Sequence, residues 1–191
     1  MDSTTLSTLK GWIVPTSAPA SAVCPGSIFV PVEIFLQQTK SVAVMTLVFF
    51  LVLTIGGGLL IGFLTRPDHW FGALSKPSFM PPNWIFGPVW TVLYVLIAIA
   101  GRRTFLRDPH GAAMLVWSIA LLLNFVWSPI FFRMHRPLAA LVVVLALLVA
   151  IMAFIVLTWP GDILSALLFV IYAAWVTFAT TLNAAIWRLN S

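Results

Sequence analysis

The residues of this 191-residue chain that could do chemistry are mainly aromatic, because it holds nine Trp and fifteen Phe but only five Asp and Glu together. Trp at the end of an apolar segment is typical of the membrane–water interface. This interpretation suits Trp70, Trp84, Trp159 and Trp187. Four further Trp residues lie deeper within apolar segments and need another explanation: Trp90, Trp117, Trp127 and Trp175.

Several of these deeper aromatic residues belong to stripes that share one face of a helix, since positions three or four apart point the same way. The stripes are Phe86, Trp90 and Tyr94; Ala120, Asn124, Trp127 and Phe131; and Ile171, Trp175, Ala179 and Leu182. They could reflect ordinary helix packing. They could equally line a cavity between helices that suits a large, planar, apolar ligand. Asn124 would be costly facing lipid, so we expect it to hydrogen-bond inside the bundle or to a ligand.

The groups that acid–base or metal chemistry requires are absent from the apolar segments. Asp, Glu, Lys and Arg do not occur within 41–65, 77–101, 109–132, 137–161 and 163–187. This argues against an ion-coupled carrier and against a hydrolase with paired carboxylates or a Ser-His-Asp set. His69, His110 and His135 lie in separate loops without Cys or Glu nearby, so we predict no metal site and no cofactor.

The same charge-free segments predict the fold. Only 8% of the residues are charged, against about a quarter in a soluble domain. Each segment reaches the ~20 apolar residues that cross a bilayer core, where the backbone must satisfy its own hydrogen bonds as a helix. We therefore predict an all-α integral membrane bundle of five transmembrane helices, near 42–64, 83–101, 111–132, 137–158 and 163–187.

Residues 1–40 form an N-terminal extension before the predicted membrane domain of residues 41–191. The extension is rich in Ser, Thr, Pro and Ala. We expect it to be poorly ordered, or to precede a true start at Met45. A signal peptide is the alternative, because Ala20-Ser21-Ala22 resembles a small-residue cleavage site.

The net charge of +5 comes from basic residues at the ends of the apolar segments. This placement is typical of contact with lipid headgroups, so we expect the lipid bilayer as a partner and no nucleic acid. In an up-and-down bundle, five basic residues share one membrane side around the cavity mouth: Arg66, Lys76, Arg133, Arg136 and Arg188. They could pair with acidic groups of a ligand or with lipid headgroups.

Four motifs follow one another along the membrane domain. They are WFGALSKPSFMPPNW at 70–84, GPVWTVLY at 87–94, LNFVWSPIFF at 123–132, and the stretch 175–188 with Ala179-Thr180-Thr181-Leu182-Asn183. Together they resemble the TspO/MBR family of tryptophan-rich sensory proteins and translocator proteins, the peripheral-type benzodiazepine receptors. The resemblance covers about residues 45–190.

The resemblance implies a five-helix bundle, commonly a homodimer, that binds porphyrins such as protoporphyrin IX and other planar apolar ligands. It implies that the pocket includes Phe86, Trp90, Asn124, Trp127, Trp175, Ala179 and Leu182, and the helix-face pattern adds Tyr94. It also implies that residues 65–82 form a lid. With the neighbouring turns, this gives the expected lid and mouth residues: Trp70, Lys76, Phe79, Trp84, Arg133 and Arg136.

Three functions follow from this resemblance. The first is a tetrapyrrole-binding membrane sensor or translocator. The second is an enzyme that degrades porphyrin under light, in which Trp90 and Trp175 would be the reactive residues. The third is a membrane scaffold that binds a protein partner. Two departures from the family pattern matter: Phe79 replaces a usual Trp in the lid, and Ala184 breaks the cholesterol-recognition pattern, so we expect no specific sterol site.

Overall fold

The computed structural model describes the backbone of residues 32–191 and the side chains of residues 41–191. Within these residues the chain is helical, without strands, and five helices are long and apolar enough to cross a membrane. The predicted all-α, five-helix membrane protein is therefore confirmed. The spans cover Ser41–Leu64, Asn83–Arg107, Ala112–Arg133, Pro137–Thr158 and Ile163–Leu189. Our predictions for residues 1–31 lie outside the described residues.

We number the spanning helices α1 to α5. Helix α1 runs through Val32–Leu51, a π-helical turn at Val52–Gly56, and Gly57–Leu64. Helix α2 is Phe86–Arg107 after a 3-10 turn at Asn83–Ile85, and α3 is Ala112–Ser128 followed by a π-helical turn at Pro129–Arg133. Helices α4 and α5 are Pro137–Thr158 and Ile163–Leu189. The loop of residues 65–82, here called the lid loop, contains a short helix at His69–Ala73.

Helix α1 begins at Val32, before residue 42 where we placed its start. We placed the start within the charge-free segment that follows Lys40. Charges are excluded from the hydrocarbon layer, but a helix can continue past the membrane surface and carry them there. The part of α1 apolar enough to cross the membrane still begins at Ser41.

Helix α4 packs against both α3 and α5, and α2 packs against α5 and the middle of α1. The core holds large buried side chains, including Phe154 and Phe169, whose ring centroids lie 3.9 Å apart. Between α2 and α3, the Trp117 ring lies directly against Gly101. A Cβ atom at Gly101 would lie 2.4 Å from this ring, so the close contact requires glycine. Lipid is as apolar as these side chains, so close packing rather than water exclusion holds the helices together.

At the membrane end opposite the lid loop, the carboxylate of Asp162 fastens α2 to the turn before α5. Asp162 is 5% exposed and accepts hydrogen bonds from the Ser165 N–H and hydroxyl, which caps the start of α5. Arg103 of α2 donates to both carboxylate oxygens, at 2.7 and 3.0 Å. Burial opposes ionisation, yet the Arg103 and Ser165 hydrogen bonds lower the pKa of Asp162 to about 2.

This ion pair predicts a pH-dependent contribution to stability. Asp162→Asn keeps a capping oxygen but removes the charge that Arg103 meets, and Arg103 is about one-third exposed. We expect the variant to lose about 2 kcal/mol of unfolding free energy at pH 7, measured by thermal unfolding in detergent. Because the folded-state pKa lies below the ordinary 3.8, the difference should be complete above about pH 4 and shrink toward pH 2.

The matched control is Asp108→Asn, because Asp108 is exposed at the end of α2. Within the described part of the chain, its carboxylate accepts only from the backbone N–H of His110. This control should unfold like the wild type. A difference between wild type and Asp162→Asn that stayed constant from pH 7 to pH 2 would contradict the role assigned to the charge.

Candidate ligand-binding site

A cavity of about 870 Å³ lies between α1, α2, α3, α5 and the lid loop. Aromatic rings and aliphatic side chains form most of its wall. Glycines of α1 and α2 also line the cavity and leave space between these side chains. Its lining comprises Ile55, Gly58, Leu59, Leu60, Ile61, Gly62, Phe63, Thr65, Arg66, Pro67, Phe71, Met80, Asn83, Phe86, Gly87, Trp90, Thr91, Tyr94, Asn124, Trp127, Ser128, Phe131, Phe132, Ala179, Leu182, Asn183 and Ile186. Such a volume falls in the upper part of the range of small-molecule sites, which is about 300–1,000 Å³.

Seven of the eight pocket residues suggested by the sequence lie on this one cavity: Phe86, Trp90, Tyr94, Asn124, Trp127, Ala179 and Leu182. The eighth, Trp175, does not line it. Its ring packs edge-on against Phe86 at 5.8 Å and beside Phe178 at 5.5 Å. Its indole Nε1 is buried and has no hydrogen-bond partner among the described residues. Trp175 therefore supports the cavity wall through Phe86.

None of the six expected lid and mouth residues lines the cavity. Phe79 and Trp84 are exposed, at 53% and 74%. Lys76 lies over the ring of Phe71, with its Nζ 4.9 Å from the ring centroid. Trp70 stacks on the His135 ring, and Arg136 lines a separate groove with Pro137 and Trp187, while Arg133 is exposed.

The sequence patterns missed the wall that α1 contributes. This wall has no Trp or Asn stripe, so only its glycines could have indicated a close approach. Gly58 is buried against Tyr94, and a Cβ atom at Gly58 would lie 2.1 Å from the Tyr94 ring. A Cβ atom at Gly62 would meet nothing within 4 Å. The lack of a side chain at Gly58 thus lets the Tyr94 ring of the same chain pack against α1, whereas Gly62 faces open space.

On α5 the cavity wall continues beyond the predicted stripe. Asn183, which the sequence places beside that stripe, lines the cavity, and so does Ile186. Ile186 follows Leu182 by four positions, so extending the helical spacing by one turn would have added it to the stripe.

A chain of hydrogen bonds joins three helices behind the cavity. The Tyr94 hydroxyl of α2 donates to Asn124 Oδ1 of α3 at 3.0 Å, and Asn124 Nδ2 donates to the Tyr172 hydroxyl of α5 at 2.7 Å. Asn124 and Tyr172 are both buried. Asn124 therefore does hydrogen-bond within the bundle, which relieves the cost of placing an amide at membrane depth.

Three more polar contacts surround the cavity and are likewise made within the protein. Trp127 Nε1 donates to Asn183 Oδ1 at 3.1 Å, and Asn183 Nδ2 donates to the Pro137 carbonyl at 2.8 Å. The Thr65 and Ser128 hydroxyls, on α1's end and α3, lie 2.7 Å apart. These neutral polar groups already bond to one another, so the cavity interior offers mainly apolar and aromatic surface to a ligand.

The lid loop is fastened at two points. Asp68 caps the lid helix by accepting from the Phe71 N–H at 3.2 Å, and its other oxygen lies 3.0 Å from His135 Nε2 in the α3–α4 turn. The Phe71 hydrogen bond, and then His135, lower the pKa of Asp68 although some desolvation opposes them. Further along, Ser75 exchanges two hydrogen bonds with the side chain of Asn190, at 2.9 and 3.0 Å.

His135, which contacts Asp68 from the α3–α4 turn, adopts an unusual backbone conformation. Its φ is +53°, in the left-handed region that few residues other than Gly, Asn, Asp and His occupy. The conformation accompanies a stack in which the Trp70 ring lies 4.3 Å from the imidazole. The α3–α4 turn thus contacts the lid helix through a ring stack and a hydrogen bond.

The fold and the cavity define a membrane protein with five spans and a site large enough for a small-molecule ligand. Comparison with known proteins is consistent with this class. A family model described as the TspO/MBR family matches residues 49–188. The chain is 41% identical over 133 residues to Protein CrtK of Rhodobacter capsulatus, an alignment that covers 68% of this chain and 83% of that protein.

Two relatives from other kingdoms of life are also similar. The chain is 41% identical over 126 residues to the tryptophan-rich protein TspO of Archaeoglobus fulgidus, covering 64% of this chain and 80% of the relative. It is 34% identical over 127 residues to the human translocator protein, covering 64% and 75%. The chain therefore belongs to the TspO/MBR family of membrane sensory and translocator proteins, and it is a multi-pass integral membrane protein.

The fastening of the lid loop can be tested at Asp68. Asp68→Ala removes both the helix cap and the partner of His135, whereas Asp68→Asn keeps a capping oxygen and loses only the charge. Loss of a cap costs about 1 kcal/mol, so we expect lid-helix amides to exchange about fivefold faster in Asp68→Ala. Asp68→Asn should fall between this variant and the wild type in hydrogen–deuterium exchange.

Amides of α4 serve as the internal reference in each sample, because this helix does not line the cavity. Equal lid exchange in the wild type and Asp68→Ala would show that Asp68 does not hold the lid helix.

Proposed function

We propose that the cavity binds a planar tetrapyrrole such as protoporphyrin IX, and that the protein senses or translocates this ligand in the membrane. The observation that carries the proposal is the convergence of aromatic stripes from α2 and α3, with small and apolar residues of α5, on one cavity of about 870 Å³. A flat, apolar macrocycle would have ring faces to stack on and few polar groups to displace.

The aromatic residues of the cavity are arranged in neighbouring pairs. The rings of Trp90 and Tyr94 lie 5.6 Å apart on α2, and those of Trp127 and Phe131 stack at 5.6 Å on α3. Pairs at this separation hold each other's orientation. A planar ligand would therefore meet surfaces that are already positioned, so that little ordering free energy is lost on binding.

The names of the relatives support the sensory and translocation part of the proposal. One relative from Cereibacter sphaeroides is called a tryptophan-rich sensory protein and is 37% identical over 129 residues. The human relative is called a translocator protein. Sensing and translocation both require reversible binding of a ligand, which the cavity and its loop-covered mouth would allow.

The proposal predicts how tryptophan variants respond to protoporphyrin IX. We expect saturable quenching of tryptophan fluorescence in the purified, detergent-solubilised protein, and about tenfold weaker binding by Trp90→Ala because a stacking surface is lost. Trp84→Ala is the matched control, since Trp84 is on the same side of the protein but 74% exposed and outside the cavity. The titration is performed in the dark.

Two results would contradict the proposal. The first is the absence of saturable quenching in the wild type. The second is equal weakening in Trp90→Ala and Trp84→Ala, which would place the porphyrin outside the cavity or in the detergent. Either result would favour the alternative in which the lid loop binds a protein partner.

The position of Trp90 also supports a second candidate, light-dependent breakdown of the bound porphyrin. Trp90 lies on the cavity with Tyr94 beside it, whereas Trp175 lies behind Phe86. We expect any such reaction to need light, dioxygen and Trp90, and to proceed nearly unchanged in Trp175→Phe. Absorbance of the bound porphyrin under illumination measures it, and equal loss with heat-inactivated protein would exclude it.

A further inference from the structure

Arg66 has a position that no other cation in residues 41–191 shares. It lies two residues after the end of α1, and among the described residues it is the only charged side chain that lines the cavity. Its guanidinium carbon lies 4.5 Å from the centre of the Phe63 ring. This contact holds the cation at the rim of the cavity, where α1 gives way to the lid loop.

The guanidinium N–H groups of Arg66 have no acceptor in the part of the chain that is described, since it forms neither a salt bridge nor a side-chain hydrogen bond there. The nearest acid in sequence, Asp68, is already engaged by His135 and the Phe71 N–H. An anion at the rim would therefore meet a guanidinium with its donors available.

The other cations on this membrane side do not compete for that role. Lys76 donates to the Gly72 carbonyl and lies on Phe71, and Arg136 lines the separate groove. Arg133 and Arg188 are exposed, as Arg66 is, but they line neither the cavity nor that groove.

The interior of the cavity also restricts where a charged group of the ligand could lie. The amides of Asn124 and Asn183 are bonded to Tyr94, Tyr172 and Trp127. A carboxylate among these neutral, paired groups would lose its hydration without gaining a cation, which is strongly unfavourable. The acidic part of a ligand is thus confined to the rim.

From this arrangement we infer that Arg66 determines specificity by pairing with a carboxylate at the edge of the planar, apolar ligand. The inference rests on the proposed function and adds to it the residue that recognises the acidic edge of the ligand. Guanidinium and carboxylate match as a two-pronged, charge-assisted pair, so the pair would also fix which edge of the ligand faces the lid loop.

The test compares protoporphyrin IX with its dimethyl ester, which keeps the ring and removes both negative charges. Each ligand is titrated into detergent-solubilised wild type, Arg66→Ala, Arg66→Gln and Arg133→Ala. Comparing variants with one ligand at a time cancels any difference in how the ligands dissolve in detergent. Arg66→Gln keeps a stem that can pack on Phe63 and so separates loss of charge from loss of packing.

We expect both Arg66 variants to bind the free acid about tenfold more weakly, and the dimethyl ester as tightly as the wild type does. Arg133→Ala should bind both ligands like the wild type. The inference is overturned if the Arg66 variants bind the acid unchanged, if they lose acid and ester equally, or if Arg133→Ala gives the same selective loss. Failure of the wild type to bind either ligand would instead overturn the proposed function.

Discussion

A polar side chain at the depth of the membrane must find its hydrogen-bond partner inside the protein, because lipid offers none. In this bundle Asn124 meets that constraint by bonding to Tyr94 on one side and Tyr172 on the other. The two bonds fix α3 in register with α2 and α5. They also orient Tyr94 so that its ring fits against Gly58 of α1. The helices around the cavity are thus positioned by groups whose hydrogen bonds are already made, which leaves an apolar interior.

The two membrane ends of the bundle are held by contacts of different strength. At one end, buried Asp162 joins the cap of α5 to Arg103. At the other, the lid loop is attached through the pairs Asp68–His135 and Ser75–Asn190, both in exposed surroundings where such contacts contribute little. The fold therefore has a firm base and a weakly fastened loop at the cavity, an arrangement that would suit the proposed binding and release of a ligand.

Much of this arrangement could be predicted from the sequence, because charge-free segments and helical spacing follow directly from membrane physics. The charge-free segments predict the five spans, and the helical spacing predicts the helix faces on which Trp90 and Asn124 lie. The glycines of α1 could indicate a close approach but not which side chain makes it, since Gly58 makes room for a ring 36 positions later in the chain. The rim could be predicted only in part. The sequence placed Arg66 among five basic residues around the mouth, and Arg66 does line the cavity. Helical spacing does not extend into the lid loop, so nothing in the sequence distinguished Arg66 from Lys76. Trp175 shares its stripe with Ala179, yet it lies behind Phe86 because the aromatic face of α2 comes between it and the cavity.

The proposed function depends most on where a tetrapyrrole binds in the protein. A crystal structure grown with zinc protoporphyrin IX would answer this directly, because anomalous scattering from the metal marks the ring centre even at modest resolution. We predict a zinc peak inside the cavity between α1, α2, α3 and α5, with a propionate directed toward Arg66. A peak on the lipid-facing surface, or in the groove of Arg136 and Trp187, with the cavity empty, would contradict the account.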